Sequence, residues 1–237
     1  MQYLVLISVL ALSLKLLALW NVKGHLHNAS PYVMAIAAAF VIMNVCELSG
    51  FYFANQQGNG LPMLITYYAF ALMAAFATLC LALANTALNT KRWLYPLGAA
   101  FLIVEIILLT PGLAIAGIQS IGYSATRIPG PLYVVVQIGL LLPLISMVGV
   151  LSFTLITSKE REAKTIARTY LFAFSPLAAA TVLVVLLMAI GLKVNASGFI
   201  SLTVCLTIWA LLFASTEKNQ YVFLSFIPRT RENKSVY

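Results

Sequence analysis

Seven apolar stretches fill almost the whole chain, each about as long as a bilayer is thick, and the charged residues fall almost entirely into every second gap between them. A lipid core needs roughly 20 consecutive apolar residues for one helical crossing. It also requires every backbone N–H and C=O to be bonded within its own helix. The pattern predicts an all-α membrane protein: a seven-transmembrane helix bundle over residues 1–216 and a basic tail at 217–237. No stretch remains for a soluble catalytic domain.

The spans are expected at about 2–20, 31–53, 61–85, 93–113, 131–157, 169–192 and 196–216. Met1 to Trp20 lacks a basic start and a small-x-small cleavage site, so it reads as a span and not as a signal peptide. Ser30-Pro31 is a natural N-cap and first turn. Asn55 to Gly60 is expected as a turn. The longest connection, Ala114 to Gly130, ends in Pro129-Gly130-Pro131 and cannot end as regular helix. Ser158 to Arg168 alternates Lys, Glu, Arg and Glu, as a solvated helical extension at a membrane surface would. Pro143 and Pro176 mark kinks, or simply the higher proline content of membrane helices.

Orientation follows from Lys and Arg in the short connections. Lys23, Lys91, Arg92, Lys159, Arg161, Lys164, Arg168, Lys218, Arg229, Arg231 and Lys234 fall on one side, and only Arg127 and Lys193 on the other. This predicts an outside N-terminus and a cytoplasmic C-terminus in the cell inner (plasma) membrane. Lys15 lies inside the first span and is expected to snorkel toward the basic side.

Only 8% of residues are charged, and the net charge of +8 would suggest nucleic acid in a soluble protein. Here the bases lie beside membrane ends, where anionic headgroups attract them; the lipid bilayer is the expected partner, and nucleic acid is not. Cys46, Cys80 and Cys205 are far apart and within spans, as packing residues would be. The two histidines, His25 and His27, lie in a short basic connection. With no His inside a span and no nucleophile–base or metal set, no cofactor and no enzymatic activity are expected.

The candidate ligand site comes from depth. Glu47 and Glu105 lie inside spans, each expected about 10 Å below the outer surface at 1.5 Å per residue. Intramembrane carboxylates are costly and demand a reason. Tyr67, Tyr68, Gln137, Ser201 and Thr203 fall at a similar depth, and Asn44 lies one turn from Glu47 on the same helix face. Two readings stay open: a polar cavity lined by these groups, or carboxyls that act as interhelical glue. Arg127, in the long connection, either folds over the mouth to pair with a Glu or an anionic ligand, or is solvated.

Several patterns together resemble the N-terminal seven-helix sensor region of bacterial histidine kinases. They are Glu47 in span two, the aromatic third span with Tyr67, Tyr68 and Phe70, and Gly130-Pro131-Leu132-Tyr133 at the entrance of span five. The charged link Lys159 to Arg168, Ser175-Pro176-Leu177, Val194-Asn195-Ala196-Ser197 and Tyr221-Val222-Phe223-Leu224 complete them. The resemblance implies a unit that reads an extracellular or membrane signal and passes it to a cytoplasmic output domain. After Ile227 ten residues remain, without a phospho-acceptor His or nucleotide-binding module, so a separate partner or a removed module is implied.

The expectation is therefore a sensor or signalling subunit. Its ligand-binding residues would be Glu47, Glu105, Asn44, Tyr67, Tyr68, Gln137, Arg127 and Ser201. Its partner-binding residues would be Lys159, Arg161, Lys164, Arg168, Phe223 and Phe226, serving a cytoplasmic or membrane signalling partner or a homo-oligomer. The alternatives are an accessory subunit of a larger membrane complex and a small-solute transporter.

Overall fold

The computed structural model describes residues 2–22, 31–52, 57–84, 90–121, 125–192 and 196–217. They form seven helices and one β-hairpin: α1 (Gln2–Val22), α2 (Pro31–Tyr52), α3 (Gln57–Ala84), α4 (Thr90–Leu109), β1 (Ile115–Ser120), β2 (Ala125–Pro129), α5 (Tyr133–Thr157), α6 (Arg161–Ala189) and α7 (Ser197–Glu217). Six of the helices, α1 to α6, are long and apolar enough to cross a membrane, and α7 contributes a shorter apolar stretch, Gly198–Ile208. This is the composition of a multi-pass helical membrane protein.

Helices α2, α3, α5, α6 and α7 pack in that cyclic order and close on one another. Helix α1 lies outside this ring, against α2 and α7, and α4 lies outside it against α3 and α5. The peripheral helices show it in their burial. Along α1 the buried positions are Ser8, Ala11, Lys15 and Ala18, a stripe at three- and four-residue spacing that defines one helix face. Leu6, Leu10, Leu17 and Trp20 point away from the protein, as lipid-facing side chains do. Helix α4 is still more peripheral: Leu102, Ile103, Ile106 and Leu109 are all exposed. Its inward contacts include the stacking of Phe101 on Phe76, ring centroids 4.8 Å apart, and burial of Leu108. At Gly139 of α5 a Cβ would stand 2.9 Å from Val104 Cγ1 and 3.0 Å from Leu72 Cδ2, so glycine lets α3, α4 and α5 approach closely there.

The helix ends have local causes. Pro111 cannot continue α4, and Gly112 turns the chain with φ 75°. Helix α6 ends in a Schellman motif: Gly191 has φ 84°, its N–H bonds to Met188 O, and the N–H of Leu192 bonds to Leu187 O. Span four therefore ends before residue 113 and span six before 192. Residues 57–60, expected as a turn, are already helix in α3, with Pro62 inside it. The charged stretch from Arg161 is helical and continuous with α6, as expected.

The main correction lies in the long connection between α4 and α5. It is an antiparallel β-hairpin, with Ile118 opposite Arg127 and Gln119 opposite Thr126, and a register shift at Ile115–Gly117. Ala114 and Ile115 enter a core with Tyr68, Leu72, Leu108, Tyr133 and Val136, which seats the hairpin on α3 and α5. Its base is closed by Gly130 N–H to Ala114 O (2.8 Å) and Leu132 N–H to Leu113 O (2.9 Å). A Cβ at Gly130 would stand 2.5 Å from Leu113 O, so only glycine permits this closure.

Candidate functional site

Apart from Glu105 and Thr203, the polar residues singled out by depth divide into two neighbouring groups, both in the half of the bundle that carries the hairpin. The first is a closed network joining α1, α2 and α7. Lys15 Nζ donates to Asn44 Oδ1, to Ser201 Oγ (3.2 Å) and to Phe40 O (3.4 Å). Three acceptors match the three N–H bonds of an ammonium group. Ser8 Oγ donates to Glu47 Oε1 (2.6 Å), and Asn44 Nδ2 donates to the Ser8 carbonyl (3.1 Å). Ser201 Oγ lies 2.9 Å from Glu47 Oε2 and 3.0 Å from Asn44 Oδ1. It has one proton, and Asn44 Oδ1 already accepts from Lys15, so the proton goes to the Glu47 carboxylate. Ser201 thus links the base to the acid. All five side chains are buried.

This arrangement satisfies charges that would otherwise be costly in an apolar medium. It also overturns the expectation for Lys15, which is 2% exposed and does not snorkel toward the basic end. Helical side chains lean toward their helix N-terminus. On α1 that direction leads away from Val22 and toward Asn44 and Ser201. The small residues of the α1 stripe bring the backbones close enough for the reach, and Cys205 Sγ adds a contact to Ala11 O at 3.4 Å.

Other hydroxyls in the spans behave differently. Thr78, Thr154, Thr181 and Thr207 each donate to the carbonyl four residues back in their own helix, at 2.7–3.0 Å. Thr203 likewise bonds within α7, to Ile200 O, and does not join the network. Ser8 and Ser201 are distinguished by spending their protons across helix interfaces.

The second group lines a cavity of ≈ 110 Å³ enclosed by the five ring helices and partly open to the surface. Tyr67, Tyr68 and Gln137, all expected in a ligand site, line it. Tyr133, Thr78, Thr181 and Met188 join them, among aliphatic side chains that include Met43, Ile200 and Val204. Met43 and Ile200 adjoin Asn44 and Ser201 in sequence, and Val204 follows Ser201 by about one turn, so the network and the cavity share helices α2 and α7. Tyr68 and Tyr133 hydroxyls are 3.0 Å apart, and Tyr133 Oη donates to Met188 Sδ at 3.6 Å.

Arg127 is not solvated. It is 8% exposed and stands over the Tyr133 ring, Cζ to centroid 5.1 Å, while its Nη1 donates to Thr126 Oγ1 at 3.0 Å. The hairpin therefore holds a cation–π contact against the residue that walls the cavity. Glu105 is the clearest departure from the expected site. It lies half-buried on α4, outside the ring, does not line the cavity, and has no hydrogen-bond or ion-pair partner among the described residues.

The expected partner-binding bases Lys159, Arg161, Lys164 and Arg168 are all exposed at the end opposite the hairpin. Phe223 and Phe226, with His25 and His27, lie outside the described residues. Cys46, Cys80 and Cys205 are buried free thiols. The sequence reading missed Ser8 and the inward role of Lys15; the spacing of Ser8, Ala11, Lys15 and Ala18 was the signal that could have found them. No protein-family model matches the chain, and no curated protein is similar enough to stand as a relative.

Proposed function

We propose that this protein is a seven-span sensor of the cell inner membrane, with its N-terminus outside and its C-terminus in the cytoplasm. A small ligand in the ring cavity would alter helix packing, and the change would pass to a cytoplasmic signalling partner. One observation carries this reading. Helix α6 is a single element that both walls the cavity, through Leu177, Thr181, Val184, Val185 and Met188, and presents Arg161, Lys164 and Arg168 at its far end. Thirteen residues separate Arg168 from Thr181, about 20 Å along a helix axis. A ligand that favours one position of α6 would move that charged end, to the extent of its differential affinity for the two positions.

The test is site-specific photo-crosslinking from Lys164 in cells. A stoichiometric cytoplasmic partner should be captured, and filling the cavity with Val185→Phe should change the yield. Capture that ignores the cavity would remove the relay. A topology reporter placed after Ser158 must be active in the cytoplasm; activity outside would put the bases on the wrong face.

A second reading, an accessory subunit of a larger membrane complex, is favoured by α4. An apolar helix with few buried residues and a carboxylate without a partner among the described residues is a surface that a neighbouring subunit could complete. Co-purification in mild detergent that depends on Glu105 would favour it.

A further inference from the structure

The cavity's chemistry defines its occupant more narrowly than the sensor reading does. We infer that it takes an uncharged molecule of no more than about eight heavy atoms, apolar over most of its surface, with one hydroxyl- or amide-type group that pairs with Gln137. The inference rests on the cavity being a ligand site; it does not depend on any relay to the cytoplasm.

Size sets the first limit. At ≈ 110 Å³ the cavity is of the same order as the engineered cavity of about 150 Å³ that binds benzene. Charge sets the second. Among the described residues no Lys, Arg, Asp, Glu or His lines it. Lys15 and Glu47 are joined through Ser201 and leave no net charge for a ligand to answer. An ion entering this site would give up its hydration without a counter-ion.

Hydrogen-bonding capacity sets the third limit. The Thr78 and Thr181 protons go to Ala74 O and Leu177 O. With Tyr133 donating to Met188, Tyr68 donates to Tyr133, so those two phenolic protons are used. The third lining phenol, Tyr67, has no hydrogen bond among the described residues and offers one donor. Gln137 offers more. Its carboxamide carries two N–H donors and a carbonyl acceptor, lines the cavity, and has no hydrogen-bond partner among the described residues. It is one turn along α5 from Tyr133, near the hairpin, while the deeper walls are Leu140, Leu144 and Leu177. A ligand would therefore enter with its apolar body against the leucines and its polar group at Gln137.

The experiment uses the full chain in lipid nanodiscs and three fluorinated probes within the size limit: 4-fluorophenol, fluorobenzene and the anion trifluoroacetate. Fluorine NMR line broadening measures binding, with empty nanodiscs as the reference for lipid partitioning. Saturable binding of 4-fluorophenol is expected, tighter than fluorobenzene, with none for trifluoroacetate. Gln137→Leu should weaken 4-fluorophenol by about tenfold and leave fluorobenzene unchanged. Ala71→Phe should abolish binding of both; Val185→Phe, filling the cavity from the opposite side, serves if the first variant does not fold. Tight trifluoroacetate binding would overturn the exclusion of charge. Equal phenol and benzene affinities, or indifference to Gln137→Leu, would overturn the polar contact. Absence of saturable binding by any probe would overturn the whole inference, and the Lys164 crosslink would still report on the relay separately.

Discussion

Ser201 on α7 donates a hydrogen bond of 2.9 Å to Glu47 on α2, across 154 residues of sequence, and the same oxygen accepts one from Lys15 on α1. One hydroxyl thus mediates between an acid and a base from two other helices. It ties the peripheral helix α1 to the ring at a point where little else but small side chains holds it.

Breaking this pair from one side should be costly. Lys15→Met leaves the Glu47 carboxylate without its cation, and Glu47→Leu leaves the ammonium without its anion; each is expected to lower stability by about 3–5 kcal/mol. The double variant should recover much of the loss, because two apolar side chains need no compensation. Unfolding in detergent measures all three, and simple additivity of the two losses would show that the groups do not act as a pair.

The hydroxyl inventory makes a graded prediction. Ser201→Ala removes bonds to both charged groups, and Ser8→Ala removes one. Hydrogen bonds to charged groups contribute about 1.5–3 kcal/mol, so Ser201→Ala should cost more than Ser8→Ala. Thr154→Val removes only a bond to the helix's own Val150 carbonyl and should cost less than either. The order is the test; an equal loss at all three positions would contradict the network.

Gly130→Ala should disrupt the hairpin, since the added carbon would stand 2.5 Å from Leu113 O and 2.6 Å from Gly112 O. The readout is trypsin cleavage after Arg127, a buried residue in the native protein and an accessible one once the hairpin lifts. Gly98→Ala, where an added Cβ meets open space within α4, should be neutral or stabilising by up to about 1 kcal/mol. Protection of Arg127 in both variants would mean that the close approach at Gly130 is not required.

Glu105→Leu should raise the thermal stability of the isolated protein, because it removes a half-buried carboxylate that has no partner among the described residues. If α4 docks on another subunit, the same change should weaken co-purification. A fall in stability of the isolated chain would show that Glu105 is satisfied within it.

The positions of the helices were legible because apolar length and the placement of prolines and glycines are local properties, and a lipid medium leaves few alternatives to helix. Glu47 and Asn44 could be placed on one face from their three-residue spacing alone. Gln137, Tyr67 and Tyr68 were grouped by depth, and they do line one cavity. Depth alone was not enough, however: Glu105 was grouped at the same depth but lies half-buried on α4, outside the ring, because its surroundings are set by how α4 packs on α3 and α5. The hairpin was hidden because its strands are only six and five residues long, and their burial comes from α3 and α5, not from their own pattern. Lys15 was misread for the same reason. Its sequence neighbours are apolar, and the acceptors that turn it inward arrive from residues 29 and 186 positions away. Length, apolarity and turn chemistry thus determined which segments are helices; only tertiary packing decided which polar groups meet, because hydrogen bonds between helices depend on rotation and close approach that no single segment encodes.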